Sequence, residues 1–227
     1  YYPIIETDEH GFNNPKGLYN KNKVDIILTG DSFAEGYAVH PNESISSVLR
    51  QSDFNVITLG KGGNGPLIEL AALKEYAEPL KPKIVLWLYY YNDFRNLVHE
   101  MKSSILRKYL NEEDFSQNLI SRQNEIDDVL KNYVQVEWEK QKNQDMKNER
   151  ESVKKKTMNL LKLSNLRIMI SLQSTPTSTP LPIFRDILNK SKQMVLGWDG
   201  RMYLVYLPAF ERYLRNNEHK NRNFVIQ

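Results

Sequence analysis

Three short apolar runs constrain the chain most: "VDIIL" (24–28), "NVITL" (55–59) and "KIVLWLYY" (83–90). Each is rich in branched side chains and continuous rather than alternating, as expected of a strand covered on both faces. Between them, "NESISSVLRQ" (42–51) opens with an asparagine suited to cap a helix, and "PLIELAALKEYAEPL" (66–80) opens with a proline suited to a first helical turn. This β-α-β-α-β rhythm predicts a parallel sheet with right-handed crossovers and helices on both faces.

The character changes from about 97 to 170, where long, charge-rich, helix-favouring sequence takes over. Ile126, Val129, Leu130, Tyr133 and Val134 recur there at helical spacing with both signs of charge between them. Residues 98–182 therefore read as a charged helical insertion packed over one edge of the sheet, closing with the loop-like "SLQSTPTSTPLP" (171–182). A helix from 183 to about 196, a "WDG" turn, a strand "MYLVYLP" (202–208) and a short helix from Ala209 resume the first pattern. The expected organisation is thus 1–97, then the insertion 98–182, then a continuation over 183–227.

Composition excludes several classes. With 227 residues, 40% hydrophobic and 26% charged, the chain can bury a proper core. A net charge of +3, from 31 basic and 28 acidic side chains, describes a mixed surface and argues against nucleic acid as the partner. The lack of cysteine rules out disulfides, thiolate zinc sites and a cysteine nucleophile. No apolar run approaches the ~18 residues of a membrane span. The sequence starts at Tyr1 rather than methionine and reads as a piece of something longer, so its compartment stays open.

In open α/β sheets, ligands bind beyond the carboxyl ends of the strands. Three motifs lie there: Gly30-Asp31-Ser32 after the first run, "LGKGGNGP" (59–66) after the second and "YYNDF" (90–94) after the third. If strand three neighbours strand one, as in a doubly wound sheet, the three loops converge. A serine hydroxyl becomes a nucleophile when a base takes its proton, and acyl transfer needs donors aimed at the oxygen that turns negative. The backbone N–H groups of Ser32 and Gly63 and the side-chain amide of Asn92 could supply three, with Gly30, Asp31, Asn64 and Tyr91 in support. Each part alone has a plain reading, a capped tight turn at Gly-Asp-Ser and an ordinary turn at Asn92-Asp93. Their coincidence at successive strand ends makes the case for chemistry.

"GDSFAEG", "GKGGNG" and "YND" together resemble the first three sequence blocks of the SGNH, or GDSL-type, serine hydrolases. The resemblance covers roughly residues 7–97, including "TDEHGFNNP" (7–15), which is similar to the segment ahead of the first strand in some bacterial members, and more loosely "WDGRMYLVYLP". It implies a flavodoxin-like three-layer α/β/α sheet, Ser32 as nucleophile, an oxyanion hole of Ser32, Gly63 and Asn92, and no metal or organic cofactor. It also implies small acyl esters as substrates, including O-acetylated carbohydrate, with acyl transfer open to the same site, and an envelope location in a bacterium. The family's fourth block, Asp-x-x-His, is where the sequence departs. The histidines are His10, His40, His99 and His219, and none has that setting. The expectation is that the Asp-His pair and the last strand lie beyond Gln227, with "NFVIQ" opening the helix before them, and that this fragment is catalytically crippled. The other reading is a binding domain for an acylated glycan or a protein partner that keeps the fold without turnover.

Gly60-x-Gly62-x-x-Gly65 also matches the dinucleotide-binding fingerprint. The acidic residue that fingerprint wants about 20 positions on is missing, since the chain is apolar near 85. A P-loop fails because no Gly-Lys-Ser/Thr closes the turn. "VKKKTMNLLKLSNLRIMI" (153–170) could lie on an anionic membrane surface but reads better as a solvated helix face. Of the aromatic run Trp87, Tyr89, Tyr90 and Tyr91, only Tyr91, next to Asn92, is a candidate for ligand contact.

Overall fold

A computed structural model describes residues 7–20, 23–155, 181–210, 213 and 222–225, with the backbone course alone for 143–155, 223 and 224. Four parallel strands, β1 (Ile26–Gly30), β2 (Val56–Thr58), β3 (Ile84–Tyr89) and β4 (Arg201–Tyr206), form one sheet in the order β2-β1-β3-β4. Strand three does neighbour strand one, with Gly30 opposite Leu88 and Leu88 opposite Val205. The carboxyl ends of β1 and β3 therefore stand level.

The helices in chain order are α1 (Ser32–Glu35), α2 (Ile45–Gln51), α3 (Pro66–Ala72), α4 (Asp93–Glu100), α5 (Ser104–Asn111), α6 (Gln123–Lys155) and α7 (Leu181–Gly197), with a last turn at Arg222–Val225. Alternate strand residues feed two cores. Ile27, Val85, Trp87 and Tyr89 pack with Leu67, Leu70 and Leu73 from α3 and its extension and with Phe184 and Ile187 from α7. Ile26, Leu28, Val56 and Leu88 pack with Ala34 of α1 and Leu49 of α2. Burial on both faces is why the runs carry no polar alternation, and each buried Ile, Leu or Val contributes about 1.5–3 kcal/mol.

Several expectations shift. β1 runs on to Gly30, so Asp31 is the first residue off the strand. The cap of α2 is Ser44, whose Oγ accepts the Ser47 N–H at 3.2 Å, while Asn42 sits in a short 3-10 turn. Pro66 opens α3 as expected, and the helix then widens into a π-turn over Leu73–Ala77. α7 begins at Leu181, so the end of the expected loop is helical, with Pro182 in the first turn where its missing N–H does no harm.

The domain boundary also moves. One compact unit takes in the described residues up to Ile120 and those from Leu181 on, and a second begins at Ser121. Residues 98–120, expected to start the insertion, belong to the first unit, because α5 and the segment after it bury Tyr109 and pack Leu106, Phe115 and Leu119 on the core. The second unit is built on α6. Most of the proposed loop, the basic stretch at 156–170 and much of the helix expected from Ala209 fall outside the described residues. Among the described residues, no helix is long and apolar enough to cross a membrane.

Candidate functional site

β1 ends at Gly30, where φ is +148° and a Cβ would come within 2.9 Å of the Leu88 carbonyl oxygen, so only glycine fits. Asp31 then caps α1, its Oδ1 accepting the Phe33 N–H at 3.0 Å. Ser32 is the first helical residue and half-buried. No described residue is hydrogen-bonded to its Oγ.

The second loop leaves beside the first, with the Lys61 N–H donating to the Gly30 carbonyl at 3.3 Å. A Cβ on Gly60 would come within 2.4 Å of the Ala34 Cβ, and one on Gly62 would be 3.8 Å from the Ser32 Cβ. The glycine turn thus crosses directly over the serine. The Gly62 N–H donates to Glu35 Oε2 at 2.7 Å, and Lys61 Nζ pairs with Glu35 Oε1 at 2.9 Å. That donor is therefore engaged. Gly63, at φ +90° with open space around it, has an N–H with no acceptor among the described residues.

The third loop closes the group. Asn92 precedes α4, and its Nδ2 donates to Asp31 Oδ2 at 3.3 Å, leaving a second amide hydrogen. One carboxylate thereby holds both the helix start that carries Ser32 and the amide of Asn92. Gly30, Asp31, Ser32 and Asn92 are brought together, with Gly62 over the serine and Gly63 and Asn64 next along the turn. Tyr91 is 40% exposed. Its ring centroid lies 4.6 Å from that of Tyr90, which lies 4.6 Å from that of Phe33, giving an aromatic strip between the first and third loops.

Beneath this surface two carboxyls are fully buried. Neither oxygen of Glu69 has a hydrogen bond, and Asp93 accepts only the Tyr90 N–H, at 3.0 Å through Oδ2. Burial pushes the Glu69 carboxyl well above the glutamate range, Asp93, Glu100 and Asp31 push the same way, and the Trp87 indole pulls against them. Burial likewise raises Asp93, against the pull of the Tyr90 N–H and with help from Asp31 and Glu100. Thr29 Oγ1, Trp87 Nε1 and Tyr89 OH are also buried without partners. Among the described residues no cluster of His, Cys, Asp or Glu could hold a metal ion.

No protein-family model, curated protein or solved structure matches the chain. The functional reading rests on the residues themselves. His10 is packed against Tyr19 and Tyr76, at centroid distances of 4.5 and 5.3 Å, and the Asp8 carboxylate ahead of it accepts the backbone N–H groups of His10 and Phe12. His40 and His99 are exposed, and His219 lies outside the described residues. The dinucleotide reading meets a direct obstacle. The start of α3, where a pyrophosphate would sit, is already taken by Glu100, which accepts the N–H groups of Gly65 at 2.7 Å and Leu67 at 2.9 Å. A groove of about 320 Å³ bordered by Leu70, Lys74, Tyr109 and Lys190 has none of the motif residues in its wall.

Sequence reasoning missed the residues that hold the loops. Asn13 donates to the Glu35 carbonyl at 2.6 Å, and Asn14 joins the Asp8 carboxylate, both backbone groups of Thr58 and the Arg50 guanidinium. Glu35, Asn96 and Glu100 act on the glycine turn itself. The only signal that could have found them is the polar pair Asn13-Asn14 in the segment ahead of β1, which by itself does not say what the two side chains hold.

Proposed function

We propose that the chain is an ester hydrolase of the SGNH type, acting on small acyl esters, O-acetylated carbohydrate among them, through an acyl-serine intermediate. The observation that carries this reading is the meeting of three strand-end loops on one serine, with the Asp31 carboxylate joining Ser32's helix to Asn92 and the glycine turn so near that a Cβ on Gly62 would be 3.8 Å from the Ser32 Cβ. The strand order β2-β1-β3-β4 agrees with the first four strands of the flavodoxin-like order 2-1-3-4-5 and so supports the proposed fold.

In this mechanism Ser32 Oγ attacks the ester carbonyl as a general base takes its proton. The tetrahedral oxyanion is met by the N–H groups of Ser32 and Gly63 and by Asn92 Nδ2. The alcohol leaves with a proton, and water attacks the acyl-serine to regenerate the enzyme. The aromatic strip of Phe33, Tyr90 and Tyr91 supplies the substrate-facing apolar surface. A second reading, a binding domain without turnover, is favoured by one observation: among the described residues no histidine is hydrogen-bonded to Ser32 Oγ. Fluorophosphonate treatment of the full-length protein, read by mass spectrometry, separates the two. A single adduct on Ser32, absent from Ser32→Ala, supports the hydrolase, whereas a folded protein that takes no adduct moves the assignment to binding. In the active protein, Asn92→Ala removes one oxyanion donor and is expected to lower kcat by roughly a hundredfold or more.

A further inference from the structure

α4 presents Asn92, Asn96 and Glu100 at successive steps of four residues, hence along one helix face. Each reaches a different point of the first two loops. Asn92 Nδ2 donates to Asp31 Oδ2 at 3.3 Å, and Asn96 Nδ2 donates to the Asn64 carbonyl at 3.0 Å. Glu100, 7% exposed, accepts the Gly65 N–H through Oε1 at 2.7 Å and the Leu67 N–H through Oε2 at 2.9 Å. The approach is close enough to require glycine at 65, where a Cβ would come within 2.7 Å of the Asn96 Cβ and 2.8 Å of Glu100 Oε2.

We infer that this face of α4 is a clamp that sets the distance between the Asn92 amide and the Gly63 N–H, with Asn96 and Glu100 as positioning residues for the oxyanion hole. The inference rests on the hydrolase reading for its catalytic meaning. The geometry behind it is independent. At its amino end the glycine turn is tied to α1 and β1 through Gly62 to Glu35 and Lys61 to Gly30. At its carboxyl end it is tied through Asn64 and Gly65 to α4 alone among the side chains described. Gly63 lies between the two ties, with nothing of its own within 4 Å of where a side chain would be. The donor that meets the oxyanion therefore has its position transmitted to it, and one of its two supports is the helix that starts at the partner donor. A helix holds a spacing of about 1.5 Å per residue with little give, so the three contacts act as one rigid rule.

The test uses the full-length protein and three variants: Asn96→Ala, the near-isosteric Asn96→Asp, which keeps shape while losing the donor and serves if the alanine variant does not fold, and Glu100→Gln. Three readings are taken: the kcat and KM for p-nitrophenyl acetate, the rate of fluorophosphonate labelling of Ser32, and amide hydrogen exchange at Gly62 and Asn64, both hydrogen-bonded in the native turn. The clamp predicts a fall in kcat of roughly tenfold or more at unchanged KM, because misplaced groups act on the barrier rather than on binding, together with faster exchange in the turn. Unchanged kcat and unchanged exchange in folded variants overturn it, as does a rise in KM at constant kcat, which would place these residues in substrate contact. A wild-type protein that takes no adduct, in variants of which turn exchange still quickens, sinks the hydrolase and upholds the clamp as a device for shaping the loop.

Discussion

Glu69 and Glu75 lie six residues apart on one continuous helical stretch, both buried, and they are opposites. Glu75 accepts the Tyr109 hydroxyl at 2.5 Å, the Ser116 hydroxyl at 3.0 Å and the N–H groups of Gln117 at 2.6 Å and Leu119 at 2.9 Å. Burial alone would raise its pKa, but these donors outweigh burial and hold the carboxyl below the usual range. Glu69 has no partner within hydrogen-bond reach; burial with three neighbouring acids raises it, and the nearby Trp87 indole, the least of the causes, pulls the other way. A buried carboxylate with a full set of donors staples a segment in place, here the segment after α5 to the helix beneath it. A buried carboxyl with none opposes folding whenever it ionises, and it lies where Ser32 and Asn92 are held.

The strongest way to break the contrast is Glu75→Ala, which strands the Tyr109 hydroxyl and two backbone donors at once. A loss of about 3 kcal/mol is expected. In thermal denaturation that is a fall in Tm of roughly 6–12 °C for a chain of this size.

The next test is one of sign. Stability rises with pH where the unfolded chain binds more protons than the folded one. Glu75, depressed when folded, contributes stability present above the ordinary glutamate value of 4.5 and lost as pH falls through its folded pKa. Glu69, raised when folded, is harmless below 4.5 and withdraws stability as pH climbs through its folded pKa. Glu69→Gln should therefore gain on the wild type, in Tm measured from pH 5 to pH 8, by a margin that widens with pH. A constant gap across that range would show that Glu69 does not titrate against the fold. The smallest test removes a single donor. Ser116→Ala leaves Glu75 with three partners and should lower stability by about 1 kcal/mol by urea denaturation, a third of the effect of Glu75→Ala.

The same contrast marks what could be read from the sequence. The strands were legible because branched residues ran unbroken, and the three motif loops because glycines or small polar residues followed each run. Glu75 was not, since two of its four donors are backbone N–H groups of Gln117 and Leu119, which no side-chain pattern announces. Residues 98–120 carry so many charges that they read as an insertion, yet Tyr109, Phe115 and Leu119 are enough to seat them on the core. Glu100 stands in the charge-rich run "NLVHEM", where no sequence pattern sets it apart from a solvated acid, and it is buried at the start of α3. Glu69 sits in a helix of which almost every residue is buried, so there was no polar face to betray its direction.

The close contact at Gly60 bears on how such a protein can vary over generations. A first carbon there would meet not only the Ala34 methyl at 2.4 Å but also the Glu35 nitrogen at 2.5 Å and the Ala34 carbonyl carbon at 2.6 Å. Shrinking Ala34 to glycine cannot make room, because two of the three obstacles are main chain. Ser32, half-buried and with no described hydrogen bond to its Oγ, faces no such main-chain obstacle. Gly60 has no such freedom, and a lineage that exchanged the serine would still have to keep it.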